Sequence, residues 1–161
     1  MVGRIEVAYI IHPDAEHLSP LDKELVESAR VLTGKAYAPY SQFKVAAIAR
    51  MTNQQLVRGT NQENASYPIG LCAERVLLAA ASSICPDTAI ETMAITYASD
   101  AADDTKPVAP CGICRQSLVE FESRFNRPLR LLLTGKTGQV FEIHSAADLL
   151  PFAFKSVNLG K

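Results

Sequence analysis

Cys72-Ala73-Glu74 and Pro110-Cys111-Gly112-Ile113-Cys114 constrain the fold of this chain more than any other segments. Each stands where a helix should begin. Residues 71–84 hold Glu, Arg, Leu and Ala without Gly or Pro and read as a well-buried helix. A second helix is expected over about 111–125, on the face Ile113, Leu118, Phe121 and Phe125. A Cys-x-x-Cys at a helix start puts two sulfurs on one side of the first turn, where both reach one ion. The free N–H groups and the positive end of each helix dipole favour thiolate over thiol there. Adding Cys72 gives three thiolates, the number that leaves a tetrahedral zinc one position for water. An ion shared in this way ties two helices together. Three thiolates on a dication leave a net negative charge, which Arg75, Arg115 and the two helix ends are placed to offset. Glu74 can face the open position as a proton carrier. Cys85, about three and a half helical turns beyond Cys72, cannot reach the same ion. Alone, Cys-x-x-Cys equally suits a structural zinc half-site or a redox pair, and Cys72 and Glu74 equally suit a buried small residue and a helix acid. The joint pattern, Cys-x-Glu at one helix start and Pro-Cys-x-x-Cys at another, is more specific than either motif alone.

The rest of the chain supplies strands for these helices to pack on. Residues 4–11 are rich in β-formers, with Ile5, Val7, Tyr9 and Ile11 on one face of an extended segment. Ser19-Pro20-Leu21-Asp22 is a helix start, with serine as cap and proline at the first helical position. Leu21, Leu25, Ala29 and Leu32 follow at helical spacing. Residues 43–50 and 55–59 flank a polar turn and predict an antiparallel hairpin. Residues 92–98 are a central strand and 99–110 a loop; 129–134 and 140–144 are two more strands, and 148–150 a helical turn. The fold class is α/β: a single-domain three-layer α/β/α arrangement on a mixed, roughly five-stranded sheet.

Composition narrows the partners. At 161 residues the chain holds one substantial core and not two ordinary domains. A net charge of −1 without basic runs gives no face for neutralising a phosphate backbone, so DNA and RNA are not expected partners. No apolar run approaches the ~20 residues of a membrane span, so no membrane partner is expected either. The start lacks a signal-peptide pattern, and the expected location is the cytoplasm, where cysteines stay reduced and serve as metal ligands.

Five ordered blocks carry a resemblance that reaches beyond the metal motif. They are Ala36-Tyr37-Ala38-Pro39-Tyr40-Ser41-Gln42-Phe43, Gly59-Thr60-Asn61-Gln62-Glu63-Asn64-Ala65-Ser66-Tyr67, Cys72-Ala73-Glu74-Arg75, Pro110-Cys111-Gly112-Ile113-Cys114-Arg115-Gln116 and Leu149-Leu150-Pro151-Phe152-Ala153-Phe154. Over about 19–154 the chain resembles the small homotetrameric, zinc-dependent cytidine deaminases of pyrimidine salvage. The resemblance implies one zinc per subunit on Cys72, Cys111 and Cys114, with Glu74 moving protons. It implies hydrolysis of cytidine and 2′-deoxycytidine, with zinc-bound water as nucleophile. It further implies that Asn61 and Glu63 hold the ribose, that Phe43 packs on the pyrimidine and that Ala73 offers its backbone to the base. Tyr67 and Phe154 resemble residues supplied by a neighbouring subunit. Ala46 and Ala109 depart from the family's usual glycine and serine, and residues 1–18 form an arm outside the catalytic domain expected over 19–161. Three other readings stay open at this stage. They are a deaminase of another aminopyrimidine nucleoside, a polynucleotide-editing deaminase, and a non-enzymatic zinc-stabilised interaction module with a fourth protein ligand.

Overall fold

The structure is a computed structural model that describes residues 1–100 and 103–160. Its strands are β1 (Ile10–His12), β2 (Lys44–Met51), β3 (Leu56–Thr60), β4 (Ile90–Ala98), β5 (Arg130–Thr134) and β6 (Val140–Ile143). Its α-helices are α1 (Pro20–Leu32), α2 (Ala73–Ile84) and α3 (Gly112–Phe125). The six strands form one sheet in the order β1-β6-β5-β4-β2-β3. All neighbours are antiparallel except β4 and β5, which run parallel because the chain crosses between them through α3. The five expected strands are all present, and the arm adds a sixth on the β6 edge. Of residues 4–11 only the last two reach that strand, and Ile5, Val7, Tyr9 and Ile11 stay about half exposed. The loop expected over 99–110 lies between β4 and α3, except that residues 101 and 102 fall outside the described residues. No helix among the described residues is long and apolar enough to cross a membrane.

Strand alternation sorts the core into two layers. Ile48, Ala94, Leu132 and Val140 face α1 and pack on Leu25, Val26 and Ala29. Ala47, Ala49, Met93, Ile95 and Leu131 face the other way and pack on Leu77, Ala81, Leu118 and Phe121 of α2 and α3. The three-layer order is therefore α1, sheet, then α2 with α3.

Two helical faces differ from the sequence pattern. Leu21 is exposed, and the buried place in the first turn of α1 goes to Asp22. Asp22 Oδ1 accepts from Arg130 at 2.6 Å and from Arg50 at 3.1 Å, so charge pairing overrides apolarity at that position. On α3, Ile113 is exposed while Cys114 is fully buried, because the helix turns its thiol rather than its isoleucine toward α2.

Candidate metal centre and nucleoside pocket

Cys72 and Cys111 are the N-caps of α2 and α3, each in extended backbone, and Cys114 lies in the first turn of α3. Neither cap sulfur closes its helix by a side-chain hydrogen bond, so neither is spent on capping. The two helix starts are held side by side from below. Gly59 of β3 lies so close to α2 that a Cβ there would sit 2.3 Å from the Ala73 carbonyl oxygen. From the other side Arg115 Nε donates to Pro110 O at 2.8 Å and its Nη1 to Leu149 O at 3.3 Å. Arg115 thus clamps the turn that presents Cys111, while the charge of Arg75 acts on Cys72 directly.

The Cys72 and Cys111 sulfurs are 3.8 Å apart, those of Cys111 and Cys114 3.4 Å, and all three lie within 4.8 Å of one another. A tetrahedral zinc with Zn–S bonds of about 2.3 Å spaces its sulfurs about 3.8 Å apart, so the cluster is close to the arrangement that ion takes. An all-thiol set also favours zinc over the harder divalent ions. Among the described residues no further His, Cys, Asp or Glu joins the group. Three protein ligands are the number found at catalytic zinc sites.

Hydrogen bonding from Cys114 holds the Cys72 thiol down to about 6, against the opposing effects of burial and the Glu74 charge. Cys114 keeps the shared proton and is pushed upward by that hydrogen bond, by its burial and by Glu74. Glu74, only 4% exposed, is pushed above the usual carboxylate range by burial, which outweighs its own backbone N–H and the Cys114 thiol. A buried carboxyl raised in this way holds its proton more tightly than a free one, as a proton carrier must.

Cys72, Cys111 and Glu74 form one wall of a cavity of about 680 Å³, a size that accepts a small molecule. Phe43, Asn61, Glu63, Tyr67, Cys72, Ala73, Glu74 and Cys111 all line it. Asn61 is braced against β2, its Oδ1 accepting from Val45 N at 2.7 Å and its Nδ2 donating to Phe43 O at 2.9 Å. The Glu63 carboxylate accepts from Tyr40 N at 2.8 Å, from Ser41 N at 3.3 Å and from the Ser41 hydroxyl, and this last bond is foremost in drawing it below the usual carboxylate range. Both residues therefore shape the loop that carries Phe43 as well as facing the cavity. Cys114, Arg75 and Arg115 stand behind the lining, and Phe154 is the expected substrate-contacting residue that the cavity does not include. It lies outside the cavity lining and is 59% exposed, with its carbonyl accepting from Gln116 Nε2 at 2.8 Å. Among the lining or supporting residues that escaped the sequence reading are Tyr40, Ser41 and Tyr97, the last stacked behind Phe43. Their signal was available only as strand alternation and as the resemblance block that contains the first two.

The family model for the zinc-binding region of cytidine and deoxycytidylate deaminases matches residues 19–126, a span that includes all three ligand cysteines and Glu74. The chain is 36% identical over 135 residues to the cytidine deaminase of Halalkalibacterium halodurans, covering 84% of this chain and 95% of that one. It is 34% identical over 137 residues to the cytidine deaminase of Sporosarcina psychrophila, covering 85% and 93%. The crystal structure of cytidine deaminase from Burkholderia pseudomallei shares its fold with a TM-score of 0.67 at 35% identity, covering 85% of this chain and all of that one. Fold and site together define a zinc-dependent deaminase. The chain belongs to the cytidine and deoxycytidylate deaminase family.

Proposed function

We propose that this protein hydrolyses cytidine and 2′-deoxycytidine to uridine or 2′-deoxyuridine and ammonia, a reaction of pyrimidine salvage, and that it does so as a homotetramer. The observation that carries this reading is the meeting of the three-thiol cluster, the buried Glu74 carboxyl and the Asn61–Glu63 loop in one cavity of nucleoside size. Cys72, Cys111 and Cys114 would hold zinc, which when bound would supply Lewis acidity toward water. Glu74 takes one proton from the attacking water and passes it to ring N3, then takes the second from the new C4 hydroxyl and passes it to the departing amine. Water is consumed and ammonia leaves, so no oxidant or further reactant is needed. Its buried position keeps Glu74 able to carry these protons. The Ala73 N–H lies in the first turn of α2, where no intrahelical acceptor exists, and is available to the base. Phe43 packs against the pyrimidine. Asn61 and Glu63 hold the sugar, since each keeps a donor or acceptor beyond those spent on the loop. Positive helix ends and Arg75 offset the negative charge of the thiolates. Arg115 supports the site by fixing the Pro110 turn.

The tetramer is supported by side chains that a lone subunit leaves in water. Tyr67 is 74% exposed at the cavity rim, and Phe152 and Phe154 stand out from the chain near its end. In an assembly, Tyr67 and Phe154 serve the site of a neighbouring subunit.

Zinc content measured beside an absorbance assay with cytidine, 2′-deoxycytidine, cytosine and a short oligonucleotide tests the reading. Turnover of the two nucleosides by zinc-loaded protein is expected. Turnover of the oligonucleotide alone, or zinc without any turnover, would overturn it. A fully active monomer on dilution would rule out the tetramer.

A further inference from the structure

Phe43 is fixed on more sides than a pocket residue needs for packing alone. Its N–H donates to Ser41 Oγ at 3.0 Å and its carbonyl accepts from Asn61 Nδ2 at 2.9 Å, so its backbone cannot drift. Its ring continues the alternation of β2, on the same side of the sheet as Val45, Ala47 and Ala49. On β4 that side carries Met93, Ile95 and then Tyr97. The register pairs Val45 with Tyr97, which sets Phe43 diagonally across from Tyr97, within reach of an aromatic side chain. The two rings stack with centroids 4.7 Å apart and planes only 19° from parallel. Tyr97 is itself immobilised. It is 6% exposed, and its hydroxyl donates to the Asp103 carbonyl oxygen at 2.6 Å, in the loop that leads to Cys111. Tyr97 is absent from the cavity lining, so it does not touch what the cavity binds.

We propose that Tyr97 is a positioning residue for the nucleoside, the rigid plate that holds the Phe43 ring at the cavity wall and so sets how tightly the base is gripped. The proposal rests on the reading of this cavity as the nucleoside site. A ring held in advance costs less to order when the base arrives, and a stacked aromatic pair is worth enough to be read in affinity. The support acts on bound substrate and transition state alike, so it moves KM rather than kcat. A residue that only filled the core would instead alter stability and leave KM alone.

The test compares Tyr97→Leu and Tyr97→Phe at equal zinc content. Tyr97→Leu should raise KM for cytidine about 3–10-fold with kcat changed by no more than about two-fold, and weaken binding of the product uridine by the same factor. Tyr97→Phe keeps the stack and gives up only the hydroxyl, and should bring KM back to within about two-fold of the starting protein. In the double variant Phe43→Leu/Tyr97→Leu, KM should be no higher than in Phe43→Leu alone, because the plate has nothing left to hold. An unchanged KM and uridine affinity in Tyr97→Leu, a Tyr97→Phe as weak as Tyr97→Leu, or additive effects in the double variant would each overturn the proposal. If Tyr97→Leu does not fold, Tyr97→Met is read against the same outcomes. Failure of the unsubstituted protein to deaminate cytidine would strike the proposed reaction instead, and uridine binding would still read the plate.

Discussion

Glu74 and Cys72 are two residues apart, yet their substitution should separate chemistry from metal binding. Glu74→Gln keeps the size of the side chain and removes the titrating oxygen. It should retain zinc and lose about 10²–10⁴-fold in kcat, the usual worth of general acid–base work. Near-normal turnover in the zinc-loaded variant would remove Glu74 from the reaction. Cys111→Ala and Cys114→Ala should lose zinc and, with it, the link between the two helix starts, lowering the melting temperature. Cys85→Ser should keep zinc, because that thiol sits at the far end of α2 and donates to Gln55 Oε1 at 2.9 Å. Zinc loss on Cys85→Ser but not on Cys111→Ala would reverse the ligand assignment. The ligands were legible in the sequence because a helix start is written locally, in Cys-x-Glu and in Pro-Cys-x-x-Cys. Tyr97 was not legible. Its role depends on which residue of β2 stands opposite it, and no local pattern records that register.

The contacts between elements carry two further consequences, one on each side of the sheet. On the catalytic side, β3 approaches α2 at Gly59, where an added methyl would overlap the Ala73 carbonyl and lie 2.5 Å from Leu77 N. Both obstacles are backbone, so Gly59→Ala must push the start of α2 off the sheet. Overpacking of this kind costs about 1–3 kcal/mol, and the displaced turn carries Cys72, Ala73 and Glu74. Denaturant unfolding should show the loss of stability and steady-state kinetics a fall in kcat; wild-type values in both would mean that α2 is not seated on Gly59. On the opposite side, α1 is joined to the sheet by charge. Burial alone would push the Asp22 carboxyl up, but Arg130, Ser19 and Arg50 together hold it below its ordinary value. A depressed carboxyl contributes stability that is fully present above the unfolded value of about 3.9 and is lost as pH falls through the lower folded value. Acid unfolding should therefore steepen below about pH 4. Asp22→Asn should flatten that limb while lowering stability at neutral pH, toward or below the low end of the ~3–5 kcal/mol seen for breaking buried pairs. The arginines soften the loss by keeping Glu91 and Glu142 as partners. An acid limb of equal slope in both proteins would assign the transition to other carboxyls. The helices and strands were readable from periodicity, and Ser19 caps α1 as its sequence predicts. The buried acid was not, since the apolar stripe placed Leu21 where Asp22 lies.

At the scale of the whole molecule, the arm is the feature the sequence resemblance does not reach, and its attachment decides whether the sheet ends at β6 or at β1. Residues Ile10, Ile11 and His12 pair antiparallel with Glu142, Phe141 and Val140. The Tyr9 ring lies 5.2 Å from that of Phe141, and His12 Nε2 is 2.9 Å from Glu142 Oε2. Glu142 also holds Arg130, which holds Asp22, so the arm is the outer end of the chain of charges that fastens α1. Ala15, just beyond β1, is buried against the α1 side of the sheet. A mobile tail would have none of these contacts. A strand of three residues is also short enough to end a sheet without offering a long edge for aggregation. Cross-strand pairs contribute roughly 0.2–1 kcal/mol each and an aromatic contact about 0.5–1.5 kcal/mol. Removing the residues before Ser19 should thus cost about 2 kcal/mol and lower the melting temperature by about 4–8 °C. The cavity is lined from β2, β4, the start of α2 and nearby loops, with no residue of β1 or β6, so kcat for cytidine should hold in the truncated protein at temperatures well below its new midpoint. His12→Ala should reproduce a small part of the loss, because it breaks only the Glu142 contact. An unchanged melting temperature after truncation would mean that β1 is not bound to the sheet in solution. A collapse of the assembly on truncation, read by mass, would place the arm between subunits and not at the edge of one.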